Sequence, residues 1–436
     1  RDQNMKVGSF IPEQSASTLY AMAGDDCSLH HNLSSLTPKQ QVDHQENQVL
    51  TCALQVALVG LGKNSDHVAL GAPFRDPTWR ELLGHYGEMF AAMGLESVPD
   101  SQWQFHPLDG YYESVAASLP EVDLTNLYMI SGSNQPLHQD PEALAVSRNV
   151  NSKLHFAEHA PLAGLPVPRT EVYSKRAIRE RGADRLFSDL PNGVMVKLLG
   201  LAGSRNVFAV DSVAECLDQI AEYDDDAQIL LQEKLDIVAW REMTVDLTIT
   251  PQDIRISNVR QILFAGGKWV GNYISPELKV PEAHRAVLMQ VGAYARDHGH
   301  VAQEGINCGI DYFVSGDEVI VTEINARWTG GLFPAEFLRR LAITQPAVAF
   351  FDMVPVAQVD AVRAFQREHL FPASGDAFAY VPMGFTPFAM EIEGAERYFV
   401  WQIVVGDFAS FVEAKRQALT EDAFPTAELI LQEALS

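Results

Sequence analysis

The chain has 436 residues, of which 47% are hydrophobic and 20% are charged, proportions typical of a globular protein with two or three domains. Its formal net charge is -25, from 32 lysines and arginines against 57 aspartates and glutamates. A surface this acidic repels nucleic-acid backbones and anionic membranes, so neither is expected as a partner. Any site for a nucleoside triphosphate would have to gather its basic residues locally and use divalent cations.

The four cysteines, Cys27, Cys52, Cys216 and Cys308, lie far apart in the sequence. None of their spacings is that of a metal site or a redox motif, so buried or free thiols in a reducing compartment are expected. No apolar stretch approaches the ~18–20 residues that span a bilayer. The N-terminal residues lack the basic region followed by an apolar segment that is typical of an export signal. The expected location is the cytoplasm.

The first 150 residues alternate between helical and extended patterns. Helices are predicted over 37–59 and 78–93, the second stopped by Gly94. Short strands are predicted at 66–70 and 127–130. This alternation favours an α/β unit with a largely parallel sheet.

Beyond residue 150, extended runs separated by short turns predominate. Their pattern predicts an antiparallel-rich α+β region with a hairpin turn at Gly266 and Gly267. A helix is predicted over 284–299, and His284, His298 and His300 are expected to be solvated residues of that helix and its end. A last helix is predicted from about residue 409. Strands are predicted at 194–199, 229–232, 243–249, 254–264, 310–314 and 319–324, and near 377–382 and 398–405.

One predicted strand pair carries a candidate metal site. Glu323, Asn325 and Arg327 are spaced by two, so on a strand their side chains point to one face. Asp311 interrupts the apolar run of the preceding strand. Two carboxylates and an amide oxygen suit Mg²⁺, and Arg327 could hold a carboxylate or phosphate with a bidentate fork. Taken alone, the pattern fits a hairpin with a solvated polar face equally well.

Two weaker features lie upstream. Lys197 stands in an apolar strand before a loop that contains Gly203, Ser204 and Arg205, and such a loop can surround phosphate oxygens with backbone N–H groups. An ordinary turn between two strands is the alternative. A second apolar strand ends in the run 232–235, where backbone groups could pair with an adenine base, and Glu242 could then reach a ribose hydroxyl. A charged surface turn is the alternative there.

The order of these features resembles the ATP-grasp superfamily, whose members share a lysine strand, a glycine loop, a hinge strand and a D…E-x-N metal site. The resemblance covers about residues 150–345, and Lys153 resembles an upstream lysine at the entry to that fold. It implies an ATP-grasp domain at 151–345 that holds the nucleotide and the metal. An N-terminal pre-ATP-grasp α/β domain would occupy 1–150, and a C-terminal α+β subdomain 346–436.

The resemblance also implies roles for individual residues. The loop 200–205 would cover the β/γ-phosphates of ATP, Arg327 would orient the substrate carboxylate or its acyl phosphate, and Arg260 rather than Arg255 would stabilise the transferred phosphoryl group. Two Mg²⁺ ions, or Mn²⁺ in their place, would bridge the phosphates. The remaining implied contacts are Lys153 and Lys197 to the α/β-phosphates, Glu233 and Leu235 at the adenine hinge, Glu242 at the ribose, and Asp311, Glu323 and Asn325 to the metal ions.

The E-x-N-x-R form followed by Gly330 and Gly331 resembles carboxylate–amine ligases, and more loosely the pheganomycin-type peptide ligases. This implies amide or peptide bond formation through an acyl phosphate, with release of ADP and phosphate, on an amino acid or small peptide. Three alternatives stay open: an ATP-grasp kinase, an acid–thiol ligase, and a non-catalytic nucleotide-binding regulatory protein. The oligomeric state is left open by the sequence, and a homodimer is the commonest homo-oligomer.

Overall fold

The computed structural model describes residues 5–7, 16–138, 140–198 and 207–435. Its strands form three sheets, of five, four and nine strands. Among the described residues, no helix is both long enough and apolar enough to cross a membrane. The four cysteines are buried and unbridged, as the sequence predicts.

The N-terminal region is the predicted α/β unit. Its strands form one parallel sheet in the order β1-β5-β2-β3-β4, so their carboxyl ends meet at one edge. In chain order the elements are β1 Met5–Val7, β2 Thr18–Ala21, α1 Cys27–His30, α2 Pro38–Leu61, β3 His67–Gly71, α3 Pro77–Ala92, β4 Trp103–His106, α4 Tyr111–Ala117 and β5 Asp123–Asn126.

The predicted strand at 127–130 is wrong, because β5 ends at Asn126. The side chain of Asn126 accepts a hydrogen bond from the backbone N–H of Tyr128 at 3.1 Å and donates one to the carbonyl of Met129 at 3.4 Å. These local bonds turn the chain away from the sheet. The apolar run that follows is buried as a loop rather than as a strand.

A small antiparallel sheet follows, in the order β6-β9-β7-β8. The three helices between β6 and β9 form a separate apolar cluster with it. The elements are α5 Ala143–Asn151, α6 Lys153–His159, β6 Thr170–Ser174, α7 Lys175–Arg179, α8 Asp184–Asp189, β7 Val194–Leu198, β8 Val207–Val210, α9 Val213–Gln219 and β9 Gln228–Glu233.

The rest of the chain builds the nine-stranded sheet, in the order β14-β13-β10-β11-β12-β15-β18-β16 with β17 beside β18. Its pairs are antiparallel, which confirms the predicted α+β region. The elements are β10 Arg241–Ile249, β11 Ile254–Ala265, β12 Lys268–Ile274, α10 Glu282–Asp297, β13 Ile306–Ser315, β14 Glu318–Asn325, α11 Leu332–Arg340, β15 Ala347–Pro355, α12 Val359–Glu368, β16 Phe378–Phe385, β17 Met390–Ile392, β18 Ala395–Gly406, α13 Phe408–Ala418 and α14 Pro425–Leu429.

Two of the three histidines expected in solvent are buried. His284 lies 2.7 Å from the carbonyl oxygen of Gly316 through Nε2, and His300 lies 2.9 Å from that of Asn307. Burial lowers the pKa of His300 to about 4, so it is neutral at physiological pH. The expectation of solvated residues is therefore wrong for both, since each serves as a backbone partner inside the fold.

The N-terminal helix α2 packs directly on the C-terminal strand β16. Gly384 of β16 approaches the backbone of α2 so closely that a Cβ at this position would overlap the carbonyl oxygen of Ala53. Residues from both ends of the chain share one apolar cluster around this contact, including Val56 and Phe385. The predicted boundaries near 150 and 345 stay predictions, and the sheet itself continues across 345 because β12 pairs with β15.

We expect Gly384→Ala to lower the free energy of unfolding by about 1–3 kcal/mol or more, because the added methyl group has no space. Gly84→Ala is the matched control, since its nearest neighbouring atom would lie 3.9 Å away in the middle of α3. There alanine should add up to about 1 kcal/mol through helix propensity. Urea unfolding of both variants measures the difference, and equal stabilities would contradict the packing described for Gly384.

Candidate active site

Three polar side chains meet on one face of the nine-stranded sheet. In the register of β13 and β14, Asp311 lies opposite Glu323 and Gly309 lies opposite Asn325. Directly opposed residues of paired strands project to the same face. The amide of Asn325 donates to Asp311 Oδ2 at 3.4 Å. The structure therefore brings together the three predicted metal ligands.

The carboxylates in this cluster repel one another. Burial raises the pKa of Asp311 to about 6, and the charge of Glu323 adds to the rise. Burial also raises the pKa of Glu242, on the adjacent strand β10, to about 8, with Asp311 adding to it and Lys197 opposing it. A divalent cation would relieve this repulsion, and carboxylate and amide oxygens are suitable donors for Mg²⁺. Within the described ranges no group of three or more His, Cys, Asp or Glu side chains could hold a metal, so phosphate and water oxygens would have to complete the coordination.

A cleft of about 410 Å³, open to solvent, separates the small sheet from the end of β14. Lys197 on β7 is buried and donates to the carbonyl oxygen of Thr322 at 3.5 Å. Lys153, at the start of α6, places Nζ 3.9 Å from Glu323 Oε1. This Nζ is buried and has no hydrogen-bond partner in the described part of the chain. Two cationic groups therefore face the carboxylate cluster across the cleft.

Arg327 joins this cluster to the N-terminal sheet. Its guanidinium donates to Asn325 Oδ1 at 3.2 Å and lies over the ring of Tyr128, 5.0 Å from the ring centre. The next residue, Trp328, donates its backbone N–H to the carbonyl of Leu127 at 3.0 Å. Arg327 thus stands between the carboxylates and the loop after β5, where a substrate group could meet both.

Arg260 is the most enclosed of the predicted residues, with 1% of its side chain exposed. Its Nη1 lies 2.6 Å from Asp246 Oδ2, and Asp246 also accepts hydrogen bonds from Asn307 and Thr329. Nε of Arg260 has no hydrogen-bond partner among the described residues. A Cβ on Gly331 would overlap the guanidinium, so the glycine leaves the space that Arg260 fills.

The remaining predicted residues are those of the phosphate loop and of the adenine hinge. Gly203, Ser204 and Arg205 lie outside the described residues. Glu233 is the last residue of β9 and Leu235 lies in the loop after it, and neither lines the cleft.

Sequence reasoning missed Thr244, Asp246 and Tyr128. The first two alternate with apolar residues along β10, in line with Glu242. That period of two could have revealed them. Tyr128 gave no such signal, because its contact with Arg327 joins distant parts of the chain.

The comparisons with known proteins concern the fold. No protein-family model matches the chain, and no curated protein matches it. Among solved structures, the carboxyaminoimidazole ribonucleotide synthase of Aspergillus clavatus, complexed with ATP, superposes with a TM-score of 0.54 at 12% identity, covering 96% of this chain and 99% of that one. The N5-carboxyaminoimidazole synthetase of Staphylococcus aureus, complexed with ADP, gives 0.53 at 10% identity, covering 94% and 98%. The fold is the ATP-grasp fold.

This result confirms the predicted fold class, an ATP-grasp fold that combines α/β and α+β elements. At 10–12% identity the similarity extends to the fold alone. The looser likeness to pheganomycin-type ligases stays a prediction, as do the homodimer and the roles of individual residues.

We expect magnesium–nucleotide binding to release protons from the carboxylate cluster. Glu242, with a pKa of about 8, is mostly protonated at pH 7, and a bound dication lowers that pKa. About one proton should therefore leave Glu242 on binding at pH 7, and affinity should rise with pH between about 6 and 8. Calorimetry of Mg·ADP binding in buffers of different ionisation enthalpy measures the number released.

Glu242→Gln isolates this contribution, because it removes the titrating group and keeps a side chain of similar size. The variant should release about one proton fewer than the wild type at pH 7. Equal proton release by the two proteins would mean that Glu242 is already ionised before the nucleotide binds.

Proposed function

We propose that this protein is an ATP-dependent ligase that joins a carboxylate to an amine through an acyl phosphate, releasing ADP and phosphate. One observation carries the proposal: Lys153 and Lys197 face Glu323 across a single cleft, with Asp311 and Asn325 beside it on the same sheet face. Buried lysines opposite a cluster of oxygen donors suit a magnesium-bound triphosphate. The ATP-grasp fold and the ATP and ADP bound to the two synthetases support this.

The two lysines would neutralise the phosphate oxygens. Burial lowers the pKa of Lys197, while Glu323 opposes that fall, so an arriving phosphate would favour its charged form. Asp311, Glu323 and Asn325 would hold Mg²⁺, which supplies positive charge to the transferred phosphoryl group. Because the chain carries a net charge of -25, a triphosphate needs both sources of positive charge here.

The chemistry would take place between Arg327 and the carboxylate cluster. A carboxylate oxygen of the substrate attacks the γ-phosphorus of ATP, and the bond to the β-phosphate oxygen breaks, giving an acyl phosphate and ADP. The amine nitrogen then attacks the acyl carbon, loses a proton, and inorganic phosphate leaves. Arg327 can pair with the substrate carboxylate, because its fork lies beside Asn325 and close to the loop after β5.

An assay of nucleotide products tests the reaction class. We expect ADP and phosphate to form in equal amounts and only when both a carboxylate and an amine are present. Pairs of amino acids and small peptides are the first substrates to screen. Hydroxylamine in place of the amine should trap the acyl phosphate as a hydroxamate. AMP and pyrophosphate as products would exclude the proposed intermediate.

A variant separates the proposed site from contaminating activity. Glu323→Gln should lower turnover at least about a hundredfold by removing a metal ligand. Glu318→Gln, at the exposed start of β14, should retain wild-type turnover.

The substrates on which ADP release depends distinguish the alternative reaction classes. ADP release that requires the carboxylate but no amine would indicate a kinase, and release that requires a thiol would indicate an acid–thiol ligase.

We expect Arg327→Lys to impair use of the carboxylate substrate more than use of ATP. Lysine keeps the charge but loses the planar fork, so KM for the carboxylate should rise by about tenfold or more while KM for ATP stays within about threefold. Steady-state kinetics with each substrate varied in turn give both values. Arg339→Lys, on the exposed face of α11, is the control, and equal effects on both substrates would count against the role given to Arg327.

A further inference from the structure

Thr244 lies in a row of four directly opposed side chains that crosses four strands of the nine-stranded sheet. It is opposite Arg260 of β11 on one side and Asp311 of β13 on the other, and Asp311 is in turn opposite Glu323 of β14. Directly opposed residues project to the same face, so the Thr244 hydroxyl stands between a guanidinium and a carboxylate. Thr244 is 4% exposed, which limits competition from water for these contacts.

The guanidinium beside Thr244 is held in place by its other partners. Nη1 of Arg260 lies 2.6 Å from Asp246 Oδ2 and also donates to the side chain of Asn258. Nη2 is turned towards two hydroxyl oxygens, that of Thr244 at 3.4 Å and that of Thr329 at 3.5 Å. The buried ion pair between Asp246 and Arg260 therefore sets the position of Nη2 beside Thr244.

The direction of the Thr244 hydroxyl bond follows from its two neighbours. A guanidinium can only donate a hydrogen bond, and an ionised carboxylate can only accept one. Thr244 Oγ1 therefore accepts from Arg260, and its proton is directed to Asp311. Burial, and after it the charge of Glu323, raises the pKa of Asp311, and a hydrogen bond with the Thr244 side chain opposes that rise, as a donor to the ionised form does.

Thr244 acts on a predicted metal ligand without belonging to the substrate cleft. It is not among the residues that line the cleft, so a nucleotide bound there would not contact its side chain. Carboxylates that hold a metal ion are commonly oriented by hydrogen bonds from groups behind them, and loss of such a group typically lowers metal affinity by about 10–100-fold. A change at Thr244 therefore alters the orientation of Asp311 and leaves every substrate contact in place.

We propose that Thr244 is a positioning residue, whose hydroxyl, aligned by Arg260, orients the carboxylate of Asp311 for the metal ion of a bound nucleotide. The inference rests on the proposed function in that a divalent cation is held at Asp311. It gives the buried ion pair of Arg260 a route to the metal site that runs through one hydroxyl group.

The test measures ADP binding to the full chain by calorimetry, once with saturating Mg²⁺ and once with a chelator. The ratio of the two dissociation constants is the gain in affinity that the metal supplies. Thr244→Val keeps the branched shape but lacks the hydroxyl. It should reduce this gain by about tenfold or more, while the affinity for metal-free ADP stays within about threefold of the wild type.

Three further variants separate orientation of the ligand from support of the fold. Thr244→Ser keeps the hydroxyl and should keep most of the gain, whereas Thr244→Ala should lose it, which keeps the test decisive if valine does not fit. Thr248→Val makes the same substitution on β10 opposite Asn307 and should match the wild type.

The outcomes distinguish this inference from the proposed function. An unchanged gain in both Thr244→Val and Thr244→Ala would overturn the role of Thr244 and leave the proposed function standing. Equal losses of metal-free and metal-bound ADP affinity would also overturn it, because the side chain would then only support the fold. A wild type whose ADP affinity does not depend on Mg²⁺ would overturn the metal site of the proposed function as well.

Discussion

The buried carboxylate of Asp246 holds together the part of the sheet on which the site depends. It accepts hydrogen bonds from Arg260 on β11, Asn307 on β13 and Thr329 in the loop after β14. Asn307 also donates to the carbonyl of Arg327 at 2.9 Å. A fully buried ion pair tolerates the loss of neither partner, because the remaining charge has no solvent to stabilise it. The position of the strands that carry the oxygen donors thus depends on this buried ion pair between Asp246 and Arg260.

This arrangement explains how a strongly acidic chain can offer an anion a place to bind. Arg260, the most enclosed of the cationic side chains around the site, is paired with Asp246. Lys153 Nζ makes no hydrogen bond among the described residues and lies 3.9 Å from Glu323 Oε1. Burial, and after it the repulsion between neighbouring carboxylates, raises the pKa values of Glu242 and Asp311. Positive charge is scarce here and is concentrated at one side of the cleft.

The parts of the site that could be predicted from the sequence are those fixed by short-range geometry. Asp311, Glu323, Asn325 and Arg327 belong to one hairpin, so a period of two and a single turn suffice to place them on one face. The contact of Arg327 with Tyr128 and that of Gln232 with Thr170 join strands or loops far apart in the chain. Such pairs depend on which strands become neighbours, and local pattern does not contain that information.

The predictions that were wrong also failed because local pattern does not reveal tertiary neighbours. The run at 127–130 is apolar because it is buried, but the side chain of Asn126 turns the chain before a strand can continue. His284 and His300 look like polar residues of a surface helix, yet each lies against a backbone carbonyl contributed by another element. In each case the side chain suits the contact that it makes, but the sequence does not show which group it contacts.

Because Gly384 lies so close to α2, truncation of the C-terminal part of the chain would remove a packing partner of the N-terminal region. The N-terminal region does not pack on residues 151–345 alone, since α2 packs on β16. A fragment that stops near residue 345 would lose the strand that pairs with β12 and would uncover the apolar side of α2. Helix α2 and the strands after residue 345 therefore pack together, with the strands that carry Asp311 and Glu323 between them in the sequence. Removal of the C-terminal strands would therefore destabilise the N-terminal helix α2, although the two are more than 300 residues apart in the sequence.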